Sequence, residues 1–301
     1  MRTAGARAER EATPPEPALG SETALSILVF SLLLSLGAFT AGLLGALTGL
    51  GGGVVIVPLL TLGFGIDFRY AVGASLVSVI ATSSGAAAAY VREGYTNIRV
   101  GIFLEVATTI GALIGAYVAG LISPSILAIV FGLVLIYSAW TSRRPRPEHG
   151  DDPPDPLAGR LRLDGTYPAP DGEHAYHVQH VPLGFGLMMV AGTLSGLLGI
   201  GSGAVKVLAM DQAMRLPFKV STTTSNFMIG VTAAASAGVY LNRGYIDPGL
   251  AMPVTLGVLA GATLGARLLH RLHSGKLRVL FAFVILALAV EMIYNGATGR
   301  I

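Results

Sequence analysis

The sequence predicts an all-α polytopic membrane protein with two inverted-topology repeats, each with a Gly-broken re-entrant helical hairpin plus about three transmembrane helices. Three observations predict this class. The 301 residues are 52% hydrophobic and 12% charged, with a mean hydropathy of +0.67, which is typical of membrane proteins. Apolar segments recur at about the length that a bilayer requires. The second half of the chain also repeats the first half at a constant offset.

The apolar segments define the predicted elements in order along the chain. They lie at about 23–48, 53–64, 70–91, 100–122, 125–141, 182–199, 204–214, 220–241, 249–269 and 277–294. Most of them are close to the roughly 20 residues of a transmembrane helix. The segments 53–64 and 204–214 are shorter, because about a dozen residues form a helix of roughly 18 Å, or about half a bilayer.

Four regions follow from this order. Residues 1–22 are polar and contain prolines, so we expect a disordered N-terminal tail. Residues 23–141 and 181–295 form transmembrane repeats 1 and 2. Residues 142–180 between them are rich in proline and mixed charges. This composition indicates a solvent-exposed linker, with room for a short hairpin, rather than a folded domain.

Composition excludes several classes of function. There is no cysteine, which excludes disulfides, thiolate metal sites and cysteine nucleophiles. His174, His177 and His180 recur every three residues in the linker, but no carboxylate is in clear register with them. A polar loop is therefore favoured over a metal site, and no metal or other cofactor is predicted. The net charge is +3, yet the basic residues are spread over short loops, so we expect no nucleic acid partner.

The internal repeat runs without a gap. Shifting the second half back by 150 positions superposes glycines, hydroxyl residues and loop tyrosines. The paired positions include Gly49, Gly51 and Gly53 with Gly199, Gly201 and Gly203, Ser75 with Ser225, Thr82 with Thr232, and Tyr95 with Tyr245. Chance similarity of apolar segments would not keep these landmarks in one register, so we interpret the halves as a duplication. Duplicated halves are typical of secondary transporters.

The distribution of Lys and Arg distinguishes two orientations of the repeats. If each short segment belongs to a re-entrant hairpin, each repeat crosses the membrane an odd number of times and the repeats are inverted. If it is half of a broken span, the repeats are parallel. Without the N-terminal tail and Lys206, the hairpin arrangement places thirteen basic residues on one side and Arg69, Arg243 and Arg300 on the other. The broken-span arrangement divides them nine to seven, so the hairpin arrangement is favoured, with the linker cytoplasmic.

Glycine clusters interrupt the apolar segments, and these interruptions predict a binding site. A helix break at membrane depth is tolerated where the backbone is buried in protein or lines a cavity. Glycines allow a sharp turn and leave amide groups free at the start of a half-helix, which suits an anion. Two such breaks in inverted repeats would form one pocket near the membrane midplane. The predicted substrate-binding residues are Thr48, Gly49, Gly51, Gly52, Gly53, Ser75, Gly199, Gly201, Ser202, Gly203, Lys206, Thr224, Ser225 and Asn226.

Other small residues have a simpler interpretation. Gly111 with Gly115 and Gly261 with Gly265 have the spacing that permits close packing of membrane helices. For these pairs we favour packing over binding. For the two clusters that coincide with half-length segments, a binding site is favoured.

Charged and hydroxyl-bearing side chains complete the predicted site. Lys206 lies a few residues past the second break, where it could face an anion or lie deep in the mouth of the hairpin. Glu105 could carry a coupling proton or pair with a basic residue, although extension toward the membrane interface is the favoured interpretation. Ser75, Ser225 and Asn226 follow the breaks and are expected to be neutral donors. Neutral donors with one cation suit a small oxyanion.

The glycine motifs resemble those of a known family. GALTGLGGGVVIVP at 45–58, GLLGIGSGAVKV at 196–207 and VSTTTS at 220–225 resemble the TauE/SafE-type sulfite exporter family of membrane anion permeases. The resemblance implies export of sulfite, sulfoacetate or other sulfonates by secondary transport. Pro58 departs from the repeated pattern, because its counterpart is Leu208.

Other functions are also compatible with this sequence. An anion channel or an importer of sulfur-containing or organic anions would share the pocket chemistry. An intramembrane enzyme is disfavoured, because no histidine lies within an apolar segment. The expected partners are a small anionic substrate and the lipid bilayer, and a homodimer is left open. The expected location is the bacterial inner membrane, with multiple passes.

Overall fold

A computed structural model describes residues 19–48, 52–92, 94–141, 155–169, 172–269 and 274–301. Within these ranges the chain is mostly helical, with one two-stranded sheet, so the predicted helical class is confirmed. Residues 1–18 of the predicted tail and 142–154 of the linker lie outside the described residues. The same is true of the predicted site residues Gly49 and Gly51.

The elements follow the predicted order along the chain. The helices are α1 (Leu19–Thr48), α2 (Gly53–Pro58), α3 (Phe68–Arg92), α4 (Ile98–Ala119), α5 (Pro124–Thr141), α6 (Pro156–Leu161), α7 (Val181–Leu198), α8 (Gly203–Leu208), α9 (Phe218–Asn242), α10 (Pro248–Leu269) and α11 (Ser274–Ala297). The strands are β1 (Gly165–Ala169) and β2 (Gly172–Tyr176). Five-residue π-helical turns, Leu59–Gly63 and Ala209–Ala213, extend α2 and α8 into the two half-length segments.

The offset of 150 residues recurs in the element boundaries. α2, α3 and α4 begin and end 150 residues before α8, α9 and α10, and the two π-helical turns keep the same offset. The glycine breaks before α2 and α8 also correspond. Similar sequence patterns therefore fold into the same series of elements in both halves.

Four of the described helical stretches are long and apolar enough to cross a bilayer. They are Ser26–Gly45, Ile98–Ala119, Val181–Leu198 and Pro248–Gly265. Large apolar side chains point outward from them, with Leu32 68% and Leu256 64% exposed. Such side chains are stable against lipid tails, because a helix satisfies its own backbone hydrogen bonds and the tails are as apolar as leucine.

Helices of the two halves pack in reciprocal pairs. α1 packs on α10, and α7, the counterpart of α1, packs on α4, the counterpart of α10. α3 packs on its counterpart α9, and α5 packs on its counterpart α11. Contacts that remain the same when the halves are exchanged are those of a two-fold relation.

Glycines allow two of these pairs to approach backbone to backbone. Gly111 on α4 faces the carbonyl of Met189 on α7, and Gly261 on α10 faces the carbonyl of Phe39 on α1. A Cβ atom at either glycine would overlap the facing backbone. Close packing is therefore the role of these two glycines, as their spacing indicated.

The linker packs onto one end of the helices. β1 and β2 pair antiparallel, and Leu163, Tyr176 and Val178 are buried with side chains of α4, α7 and α9. The Asn97 side-chain amide, before α4, donates to the Leu163 carbonyl and to the Tyr176 hydroxyl, both at 2.8 Å. Burial raises the pKa of Tyr176 to about 12, so this phenol is neutral at physiological pH. The described part of the linker is thus folded and docked rather than solvated on all sides.

The linker histidines are dispersed. His177 Nδ1 lies 3.4 Å from Asp164 Oδ2, and His180 Nδ1 lies 3.2 Å from the Ala213 carbonyl oxygen. His174 is exposed on β2. Among the described residues, no three potential metal ligands form a group.

Candidate functional site

The two glycine breaks lie in contact with each other. The Ser75 hydroxyl on α3, in the first half, donates to the Gly199 carbonyl of the second break at 2.8 Å. A Cβ atom placed on Gly53 would lie 3.1 Å from the same carbonyl oxygen. Gly52, Gly53 and Gly199 are all buried. The described part of the first break therefore meets the second break inside the protein.

The second break passes through left-handed backbone conformations. Gly199 and Gly201 both have φ of +68°, and Ser202 has φ of +46°. Glycine adopts such angles without a steric penalty, which explains why positions 199 and 201 are glycines. Gly203 then begins α8, and its carbonyl accepts a hydrogen bond from the Ser225 hydroxyl at 3.3 Å. Ser75 and Ser225, which are equivalent in the repeat, thus both hold the second break.

Serine hydroxyls have two different environments at this break. Ser75 and Ser225 were expected to be donors toward a ligand, but in this conformation both donate to backbone carbonyls. Ser202 is 3% exposed, and its hydroxyl has no hydrogen-bond partner among the described residues. Its hydroxyl therefore has donor capacity to spare.

Lys206 is fully buried one turn after the break. Its side chain is 0% exposed, and its ammonium donates to the Thr232 hydroxyl on α9 at 2.6 Å. Among the described residues Thr232 is its hydrogen-bond partner, so two of the three ammonium donors have none there. A buried cation is costly unless a negative charge or several acceptors compensate it.

Glu105 on α4 supplies the nearest such charge through the same hydroxyl. Its Oε1 accepts from Thr232 at 2.7 Å and from Thr109 at 3.2 Å. The carboxylate therefore points into the bundle instead of extending toward the interface, and its Oε2 is buried without a hydrogen-bond partner among the described residues. Lys206, Thr232 and Glu105 form a hydrogen-bonded chain across α8, α9 and α4.

Three other predicted site residues lie within the described ranges, namely Thr224, Asn226 and Thr48. The Thr224 hydroxyl accepts from the Asn97 backbone amide at 3.0 Å, at the linker end of α9. Asn226 is partly buried on the same helix. Thr48 ends α1.

A small recess lies against the second break. It is lined by Val54, Val134, Leu135, Ser138, Ile200, Ser202, Gly203 and Val205. Its volume has room for about one water molecule. This recess is therefore too small for a sulfite ion in this conformation.

Comparisons with known proteins identify the family. The sequence model of the sulfite exporter TauE/SafE family matches residues 34–292. The chain belongs to the sulfite exporter TauE/SafE family. The resemblance seen in the glycine motifs is thereby confirmed, and with its apolar helices this TauE/SafE protein is a multi-pass membrane protein.

Relatives of this TauE/SafE protein are described as transporters. It is 28% identical over 277 residues to the probable membrane transporter protein YunE of Bacillus subtilis, covering 89% of this chain and 98% of YunE. It is 26% identical to a probable membrane transporter protein of Xylella fastidiosa, covering 88% and 96% of the two chains. The probable membrane transporter protein YdhB of Bacillus subtilis is 26% identical, with 78% and 89% covered. No solved structure matches this chain.

Thr232 is the residue that the sequence analysis did not place at the site. Lys206 and Glu105 were each noted as charges in apolar segments, but nothing linked them. The repeat offered one signal, because a hydroxyl occurs at both equivalent positions, Thr82 and Thr232. The link itself depends on α9 lying between α4 and α8, which the sequence did not predict.

Proposed function

We propose that this TauE/SafE protein is a secondary transporter that exports sulfite, sulfoacetate or other sulfonates across the bacterial inner membrane. The anion binds near the membrane midplane, between the two glycine breaks. The observation that carries the proposal is the fully buried Lys206 ammonium, which lies next to the break and has donors without partners among the described residues.

The chemistry of the second half-helix suits a sulfur oxyanion. The Lys206 backbone amide donates to the Ser202 carbonyl at 3.0 Å, so Ser202 precedes Lys206 by one turn of the chain. An ammonium and a hydroxyl from one turn of the chain can supply a charge and a neutral donor to the oxygens of one sulfite or sulfonate group.

Contacts within each hairpin support re-entrant topology. The Gln179 amide, just before α7, donates at 3.0 Å to the carbonyl of Met214, which follows the second half-helix. In the first half, Phe64 lies at the corresponding end of its half-helix, and its ring centroid is 6.1 Å from that of Phe30 in α1. Each half-helix thus ends beside an early part of the helix that precedes it, as expected for a chain that turns back inside the membrane.

Contacts between α3 and α9 support inversion of the two repeats. Arg69, at the start of α3, lies over the ring of Tyr245, which follows α9, at 5.6 Å. Lys219, at the start of α9, lies over the ring of Tyr95, which follows α3, at 5.3 Å. Each helix begins where the other ends. Together with the excess of basic residues on the linker side, this arrangement favours a cytoplasmic linker.

The small size of the recess at the second break favours a moving transporter over an open pore. A sulfite ion is larger than the single water molecule for which the recess has room. Binding would therefore require the two breaks to separate, as they would if one repeat rocks against the other in alternating access. A permanently open channel would not need this movement.

Transport by purified protein in liposomes tests the proposal. Sulfite and sulfoacetate uptake should saturate and should show counterflow, and sulfate, taurine and carboxylates should define the specificity. Uptake that does not saturate would indicate a channel, and uptake only toward the cytoplasmic face would indicate an importer. No binding or flux with any sulfur oxyanion would contradict the proposal.

The Lys206→Met variant tests the site itself. Removing a buried charge-assisted donor should weaken anion affinity by about tenfold or more. Lys219→Met is the matched control, because Lys219 is an exposed lysine of the same repeat that contacts a tyrosine ring. Equal affinity in Lys206→Met and wild type would remove Lys206 from the binding site.

A further inference from the structure

The chain from Lys206 to Glu105 suggests a second ligand besides the anion. The Thr232 hydroxyl oxygen accepts from the Lys206 ammonium at 2.6 Å. Its own proton has two acceptors in reach, the Glu105 carboxylate at 2.7 Å and the Met228 carbonyl at 3.0 Å. One hydroxyl thus connects a buried cation to a carboxylate on another helix. The Glu105 carboxylate compensates the charge of Lys206, as a transported anion bound beside the lysine would.

We propose that Glu105 is a proton-binding site coupled to anion binding, in which the ionised carboxylate and the transported anion compete for Lys206. This inference rests on the proposed anion site. When Glu105 is ionised, Thr232 and the carboxylate compensate the ammonium and the anion binds weakly. When Glu105 takes up a proton, the Thr232 hydroxyl can turn to the Met228 carbonyl, and Lys206 is left to the anion.

The environment of Glu105 gives a place for that proton. Its Oε2 is buried and has no hydrogen-bond partner among the described residues. An ionised carboxylate normally accepts several hydrogen bonds, whereas a protonated carboxyl group accepts fewer. The second oxygen can therefore take up a proton, and the Thr232 hydroxyl can then turn from Oε1 to the Met228 carbonyl.

Other charged groups are farther from Glu105. α7, which packs on α4, has no ionisable side chain. On α9, Lys219 is thirteen residues before Thr232, about 20 Å along the helix. Arg99 is exposed at the start of α4, and Asp211 is buried in the π-helical turn beyond α8. Lys206 is the charged group of the described residues that faces Glu105.

The repeat shows that these charges are not needed to pack the elements. The counterparts of Lys206, Thr232 and Glu105 are Ile56, Thr82 and Thr255. The equivalent cluster on α2, α3 and α10 therefore keeps the hydroxyl of α3 but has neutral residues at both charged positions. The Thr82 hydroxyl bonds to carbonyls of its own helix, those of Ser78 and Val79. One cluster of three helices thus has a charge pair where the equivalent cluster folds without it.

Competition for Lys206 makes the proton and the anion bind together. A proton taken up by Glu105 accompanies each anion, and both are released when the site opens to the other side. Net transport then follows the sum of the two gradients. Export occurs when the outward anion gradient exceeds the opposing inward proton gradient.

Sulfoacetate binding at several pH values tests this coupling. Its sulfonate and carboxylate are both ionised between about pH 6 and 8, so the ligand does not change its own charge. Wild-type affinity should rise as the pH falls, by up to about tenfold per pH unit. Addition of sulfoacetate in weak buffer should take up about one proton per bound anion. In Glu105→Gln, affinity should be high at every pH and proton uptake should be lost.

Two further variants separate coupling from folding. Thr232→Val removes the bridging hydroxyl and should reduce the pH dependence, whereas Thr82→Val removes its counterpart and should retain it. Proton uptake that persists in Glu105→Gln, or wild-type affinity that does not depend on pH, would overturn the coupling but leave the transport proposal intact. If wild type binds no sulfur oxyanion, both proposals fall.

Discussion

At Gly199 both the backbone angle and the neighbours require glycine. Its φ is +68°, and a Cβ atom would lie 2.7 Å from a methyl group of Val72 and 3.0 Å from the Val72 carbonyl oxygen. For Gly199→Ala we expect a backbone cost of about 1–2 kcal/mol and an overpacking cost of about 1–3 kcal/mol. Thermal unfolding of the purified protein measures the combined loss of stability.

Gly244→Ala separates the two costs. Gly244 has a similar φ of +75°, but nothing lies within 4 Å of its Cβ position. This variant should lose only the backbone contribution. Sulfoacetate affinity should fall in Gly199→Ala and stay unchanged in Gly244→Ala, because only Gly199 lies at the break. Equal unfolding temperatures of the two variants would contradict crowding at Gly199.

Helix pairs depend on the small residues at their crossings. On α7, a Cβ atom at Gly192 would overlap the Thr108 carbonyl of α4, whereas nothing lies within 4 Å of the position at Gly186. Gly192→Ala should therefore lower the unfolding temperature through an overpacking cost of about 1–3 kcal/mol. Gly186→Ala should raise it, because alanine favours a helix over glycine by about 0.5–1 kcal/mol.

The reverse order of stability between these two variants would show that α7 does not pack closely on α4. Because both substitutions add one methyl group to one helix, intrinsic helix propensity cancels in the comparison. What remains is the effect of the neighbouring helix.

Most helices could be predicted from sequence, because apolar length and the repeat both mark them. The segment predicted at 70–91 is α3, from Phe68 to Arg92, and the half-length segments coincide with α2 and α8 and their π-helical turns. The packing of the linker could not be predicted. Its buried residues, such as Leu163 and Val178, are spread among polar ones without a helical or strand period, so composition alone favoured a solvated linker.

Part of the site could also be predicted from the sequence. Glycine clusters and Lys206 are recognisable because they violate the pattern of an apolar helix. The contact of Ser75 with Gly199 joins the two halves, and the bridge at Thr232 joins three elements. Such contacts depend on which helices become neighbours, and a threonine in a membrane helix has no distinctive pattern of its own.

At the scale of the molecule, a nearly symmetric frame surrounds an asymmetric site. The reciprocal pairs of helices treat the two halves alike. Lys206 and Glu105 break this likeness, because their counterparts are Ile56 and Thr255. The two glycine breaks can therefore have different roles in the proposed cycle, with Lys206 beside the second break and the first break packing against the second through Gly53.

Inversion of the repeats can be tested by cysteine labelling, since the chain has no native cysteine. Arg99 and Gly249 occupy equivalent positions, 150 residues apart, in the first turns of α4 and α10, and both are exposed. A membrane-impermeant maleimide on intact cells should label Gly249→Cys, whereas Arg99→Cys should need permeabilised cells. Thr166→Cys in the linker should behave as Arg99→Cys, because the hairpin arrangement places the linker on the same side as Arg99, with thirteen of the sixteen basic residues considered. Parallel repeats would place Arg99 and Gly249 on one side, so labelling of both or of neither in intact cells would contradict inversion.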